Sequence, residues 1–194
     1  MILPGMGCGD DIIGANWYAD CKEKIEQLFQ NEGAECHVIL QDMPDPFGAR
    51  ESIWIPFVES QLEPQRSCCQ NQRSVLVLIG HSSGAQCAMR YIEKHGIDAC
   101  ILISACWTDM NKPKEKRSGY YDRPWNCKQM KQNCPLIIQF GSEDDHLIDY
   151  ETEQVAVMEN LSPIPYMYED RGHFLTFDVD PDIIQCIQER ILKL

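Results

Sequence analysis

Five consecutive residues, Gly80-His81-Ser82-Ser83-Gly84, have the types and spacing to present a serine hydroxyl to an acyl carbonyl. The apolar run 75–79 leads into them and a helical pattern over 85–93 leads out. Where a strand turns abruptly into a helix, the middle residue of G-x-S-x-G is lifted to the apex. The flanking glycines remove side chains that would collide as strand and helix approach. Ser82 is therefore the candidate nucleophile. The competing assignment is an ordinary strand–helix turn whose serines only cap the helix, a role that suits Ser83 as well as Ser82.

A serine hydroxyl needs a base to take its proton, and an imidazole base needs a carboxylate to hold its tautomer. When strands alternate with helices, the hydrolase order is serine, then acid, then histidine. Asp144 and Asp145 follow the apolar run 136–140 through Gly141-Ser142-Glu143, and His173 follows the run 165–168 through Glu169-Asp170-Arg171-Gly172. Spacing alone does not choose between the two aspartates. His37, His81, His95 and His146 read as structural or solvated. The loop Pro4-Gly5-Met6-Gly7-Cys8-Gly9-Asp10 is rich in small residues that leave backbone N–H groups open. Met6 or Gly7 is the candidate for one oxyanion donor and Ser83 for the other. A dinucleotide fingerprint fails here, because Gly5 and Gly7 would require a third glycine where Asp10 stands.

These residues need elements to carry them. Segments 36–40, 75–79, 99–104, 136–140 and 165–168 read as strands, with 1–3 as the tail of a short first one. Helical patterns cover 17–29, 50–62, 86–93, 151–158 and 181–192, the last with Asp180 as N-cap and Pro181 in its first turn. Alternation of apolar strands with helices predicts a parallel sheet covered on both faces. A polar stretch, 107–127, follows a central strand at the sheet edge where ligands bind and reads as a small lid or pocket wall. Trp107, Tyr120 and Trp125 are its candidate pocket residues, with packing as the rival role.

Composition narrows the function classes. The 194 residues fit one domain, 1–194, and 44% hydrophobic content suffices for a core. With 17 Lys and Arg against 30 Asp and Glu, the formal charge of −13 disfavours nucleic acid and acidic membrane surfaces. Eleven cysteines include no C-x-x-C pair, so no metal or redox motif is expected, and a reducing cytoplasm fits their usage. No secretory leader or membrane-spanning run is read in the chain.

The chain resembles the retinoblastoma-binding protein 9 family of small serine hydrolases, related to bacterial YdeN-like proteins. The resemblance is carried by Pro4-Gly5, Trp17-Tyr18, Met43-Pro44-Asp45-Pro46, Ala49-Arg50-Glu51-Ser52-Ile53-Trp54 and the elbow itself. It continues through Ala88-Met89-Arg90-Tyr91, Ser118-Gly119-Tyr120, Arg123-Pro124-Trp125, Gln139-Phe140-Gly141-Ser142 and Gly172-His173-Phe174. It implies a three-layer αβα sandwich, α/β-hydrolase-like, with a mostly parallel central sheet and a minimal cap. It further implies a triad of Ser82, Asp145 and His173, so the acid falls on the second aspartate. Two departures stand in the glycine loop: Met6 where the family often has asparagine, and Cys8 where glycine is common, both side chains being expected to face the oxyanion region. The Leu-x-Cys-x-Glu motif associated with retinoblastoma-type partners is missing from segment 62–69, so that partner is not inherited. The resulting expectation is a monomeric, cytoplasmic serine hydrolase acting on a small ester or amide, or on a peptide end, without metal or cofactor. The alternative is a non-catalytic or weakly catalytic protein-binding module on the same scaffold.

Overall fold

In a computed structural model that describes residues 1–68 and 74–194, five strands form one sheet in the order β1-β2-β3-β4-β5, every neighbouring pair parallel. The strands are β1 (Ile2–Leu3), β2 (Val77–His81), β3 (Ala99–Ile103), β4 (Leu136–Ser142) and β5 (Ile164–Tyr168). Side chains alternate across the sheet, so β1 to β4 each feed two cores. Leu78, Cys100, Leu102 and Ile137 face one core, with Trp54, Val58, Met89 and Val157 packed on them. Ile79, Ile101, Ile103, Ile138 and Phe140 face the other, with Tyr18, Cys21, Ile25 and Ile183. The helices thus divide into two layers. α2 (Glu51–Cys68), α3 (Ser83–Ile92), α5 (Cys127–Asn133) and α6 (Val155–Leu161) cover one face, and α1 (Tyr18–Asn31) and α7 (Pro181–Cys186) cover the other.

Segment 36–40 is not a strand. It runs beside β1 and gives it one hydrogen bond, Ile2 N to Ile39 O at 3.0 Å. A two-residue β1 offers too little edge for a ladder, and Lys22 Nζ takes the carbonyl of Val38 at 2.9 Å. The helix expected over 151–158 starts earlier, as a π-helical turn over Tyr150–Gln154 capped by Asp149, and continues as α6. The last helix is likewise divided, α7 giving way to a π-helical turn at Ile187–Ile191. Its expected cap is present, Asp180 accepting from Asp182 N at 2.9 Å.

The stretch 107–127 holds a short helix, α4 (Pro113–Ser118), ended by Gly119 at φ 85°. It is fastened to α3 by Arg90, which is completely buried and donates to the carbonyls of Tyr120, Arg123 and Pro124. The same guanidinium lies 3.8 Å from the centroid of the Trp125 ring.

Candidate active site

β2 ends at His81 and α3 begins at Ser83, leaving Ser82 alone at the bend with φ 52° and ψ −122°. A side-chain-bearing residue held there is strained, and its neighbours must hold it. Ser82 N donates to Ile103 O at 2.9 Å, and Ser82 O accepts from Ala85 N at 2.8 Å. The flanking glycines are required by contact. A Cβ on Gly80 would stand 2.5 Å from Gly84 O, and one on Gly84 would run into the Leu3 carbonyl. The glycine loop comes equally close, for a Cβ on Gly5 would lie 3.2 Å from Ser82 Cβ. Ser82 makes no side-chain cap bond to α3, so the capping role leaves its hydroxyl unclaimed.

β4 and β5 deliver the other two groups. His173 Nδ1 lies 2.9 Å from Asp145 Oδ2 and 3.0 Å from Oδ1, both side chains being buried. Asp145 Oδ1 also accepts from the amides of Leu147 and Ile148, and Oδ2 from Gln154 Nε2 at 3.2 Å. Burial pushes the Asp145 carboxyl up, but the bond and charge of His173 and the two amides hold it below the ordinary carboxylate range. An ionised Asp145 keeps hydrogen on His173 Nδ1 and leaves Nε2 as the proton acceptor. Asp144 is exposed and bonds elsewhere, accepting from Ser142 Oγ at 2.6 Å and from Gly172 N at 2.7 Å. The first aspartate steadies the turn that carries the histidine, and the second touches the ring. The ring of His81, the residue before Ser82, stands 5.0 Å from that of His173, and its Nε2 lies 2.9 Å from the His173 carbonyl.

The oxyanion candidates separate. Gly7 N donates to Pro46 O at 2.8 Å, so its N–H is already spent and the expectation for Gly7 is corrected. Among the described residues, the amides of Met6 and Ser83 make no such bond, and Ser83 stands in the first turn of α3, where helix N–H groups point outward. The side chains of Met6 and Cys8 turn to other work. Met6 packs against the core that contains α3, and the Cys8 thiol points 3.2 Å from Gly5 O.

Of the pocket candidates, Trp107 and Trp125 are half-buried with ring centroids 5.8 Å apart, and Trp125 Nε1 donates to Trp107 O at 2.8 Å. Tyr120 is only 1% exposed and belongs to the core, which removes it from the pocket wall. Its aromatic ring fills space beneath the stretch that Arg90 ties down. Two residues escaped notice in the sequence. Buried Glu153 accepts from the amides of Trp107 and Thr108, and the adjacent Gln154 reaches Asp145. Their sequence signal is faint, two amide-type or acidic residues inside an amphipathic helix. The π-helical turn is what directs both inward. No group of three or more His, Cys, Asp or Glu that could hold a metal occurs among the described residues.

No protein-family model matches the chain. Over 174 residues it is 43% identical to Serine hydrolase RBBP9 of Rattus norvegicus, which covers 90% of this chain and 86% of that protein. The ydeN gene product of B. subtilis superposes with a TM-score of 0.76 at 16% identity, over 97% of this chain and 95% of the other. A YdeN-like hydrolase from Pectobacterium atrosepticum gives 0.62 at 19% identity, over 98% and 90%. At such identities the two structures speak for the fold.

Proposed function

The chain belongs to the RBBP9/YdeN-like family of serine hydrolases, within the α/β-hydrolase superfamily, and from that membership we propose that Ser82, Asp145 and His173 are its catalytic triad. The reaction is serine-type hydrolysis of a small ester or amide. His173 Nε2 takes the Ser82 proton as Oγ bonds to the carbonyl carbon. The amides of Met6 and Ser83 receive the developing oxyanion, and His173 returns the proton to the leaving group. Water then cleaves the acyl-enzyme by the same steps reversed. The observation that carries the assignment is the buried 2.9 Å contact between His173 and Asp145, with the backbone of His173 held 2.9 Å from the ring of His81, the residue before the strained Ser82.

A fluorophosphonate tests it directly, because only an activated serine is labelled. The adduct should map to Ser82 by mass spectrometry and vanish in Ser82→Ala. An adduct on Ser83, or full labelling of the Ala variant, would overturn the assignment.

One domain spans 1–194, with 107–127 as a pocket wall presenting Trp107 and Trp125 to a small-molecule or peptide-end substrate. Among the described residues no helix is long and apolar enough to cross a membrane, and nine cysteines stand free. Those thiols support a reducing compartment, the cytoplasm, which cell fractionation checks. A monomer is expected in sedimentation, and the formal charge of −13 argues against nucleic acid. A retinoblastoma-type partner is not expected either. Leu62 is 1% exposed in α2, packed in the core and not offered as a peptide anchor, while Cys69 lies outside the described residues.

A further inference from the structure

We propose that Tyr18 and His81 are positioning residues, a buried chain of hydrogen bonds that sets the oxyanion loop and the histidine loop against each other around Ser82. This rests on the triad reading above. The chain begins at His81, only 1% exposed, whose Nε2 lies 2.9 Å from the His173 carbonyl. A carbonyl can only accept, so Nε2 carries the hydrogen and Nδ1 is left as an acceptor. The Tyr18 hydroxyl, 2.7 Å away and wholly buried, therefore donates to Nδ1. The Tyr18 oxygen accepts in turn from Gly5 N at 3.0 Å and from Asn16 Nδ2 at 3.3 Å. Every bond then has one donor and one acceptor, and the direction runs from Gly5 through Tyr18 and His81 to His173.

The two ends of the chain are what matter chemically. Gly5 precedes Met6, whose amide is assigned to the oxyanion, and the far end holds the backbone of the base itself. Packing alone would be satisfied by phenylalanine at position 18, since the ring already sits 4.8 Å from Trp17 and 5.8 Å from His81. The hydroxyl is needed only for the two loops. Trp17 adds a parallel tie, its Nε1 donating to Phe174 O at 2.8 Å. Consecutive residues at the start of α1 thus grip both sides of the site. His81 is kept neutral because burial, and then the charge of His173, pull its pKa down to about 3, and the bonds at its two ring nitrogens fix the tautomer.

The test is steady-state hydrolysis of a neutral ester by Tyr18→Phe, His81→Gln and His81→Asn, alongside wild type and Ser82→Ala. Glutamine places an N–H donor near the position of Nε2 and can hold the His173 carbonyl, whereas asparagine is too short to reach it. Tyr18→Phe and His81→Asn should lose kcat on the order of 10- to 100-fold with KM little changed, as expected when reacting groups shift by a fraction of an ångström to an ångström. His81→Gln should recover most of the loss at the histidine end. Wild-type kcat in Tyr18→Phe, or equal losses in both His81 variants that track their thermal midpoints, would overturn the relay and leave ordinary packing. If wild type does not turn over, or Ser82→Ala stays active, the triad reading fails and the relay with it. An active, Ser82-dependent enzyme with an unaffected Tyr18→Phe variant sinks the relay alone.

Discussion

Asp144 and Asp145 are adjacent and chemically the same, yet one is exposed on a turn and the other is sealed against an imidazole. Asp145→Asn should leave the fold intact and lower kcat on the order of 10⁴-fold, the scale known for a serine-protease triad, because the amide no longer selects the productive tautomer. Asp144→Asn should cost far less, since it only weakens the bonds from Ser142 Oγ and Gly172 N. Parallel kinetics on the two variants decide the matter, and the reverse ranking would move the acid to Asp144. His81 makes a second prediction, about stability. Burial and the His173 charge pull its pKa from 6.5 to about 3 in the folded chain. Below pH 6.5 the unfolded chain binds a proton that the folded one refuses. Stability is therefore unaffected above that pH and falls as pH drops from about 6.5 toward 3, by at most about 1.4 kcal/mol per unit. Urea unfolding at pH 7, 6 and 5 should show this decline in wild type and a flatter course in His81→Gln. Parallel curves would mean that His81 does not carry it.

At the scale of elements, the elbow and the 107–127 stretch depend on close contacts that admit no substitute. Gly84→Ala would press a methyl group onto the Leu3 carbonyl, and both β1 and α3 would have to yield. The expected result is a loss of about 1–3 kcal/mol from overpacking, together with loss of fluorophosphonate labelling as Ser82 leaves its apex. Normal labelling with normal stability would show that the approach of α3 to β1 is not needed. Arg90 holds the other element. Its guanidinium serves three carbonyls, stacks on Trp125 and pairs with Glu93 at 2.6 Å, with 0% and 8% side-chain exposure for the two partners. Arg90→Met should cost about 3 kcal/mol, because three carbonyls lose their donor and Glu93 keeps only Arg123 at 3.6 Å and the Asn126 amide, and should raise KM as the Trp107–Trp125 wall loosens. Calorimetry and kinetics on the same preparation check both. An unchanged KM would take the wall out of the binding site.

Over the whole molecule, 13 excess negative charges surround a small reaction centre. Their summed field favours cationic over anionic substrates of equal shape, and salt should erase the preference. The ratio of kcat/KM for a cationic and an anionic ester should fall toward one between about 0.01 M and 1 M salt, as the screening length shrinks from about 30 Å to about 3 Å. A ratio that ignores salt would assign the preference to local contacts. At this scale, too, the two cores anchor the elements that carry the site. β2, β3 and β4 are buried on both faces, so the loops at their ends spring from a platform that cannot shift without opening both cores.

Periodicity along the chain is local physics, and with the cap signature it was enough to place all five strands of the sheet, their parallel arrangement, the Asp180 cap and the order of Ser82, an acidic pair and His173. The shared segments likewise sufficed for the family. Tertiary structure decided whatever depends on groups distant in sequence. Position along the chain does not reveal that Asp145 turns inward while Asp144 bonds Gly172, since both sit on one short turn. Nor does it show that Pro46 claims the Gly7 amide, or that Tyr120 sinks into the core. Segment 36–40 has a strand's composition but lacks a partner edge long enough to pair with, because β1 spans two residues. Composition reports which residues prefer burial or an extended backbone. Which hydrogen-bonding group meets which is settled only when the sheet brings the loop ends together.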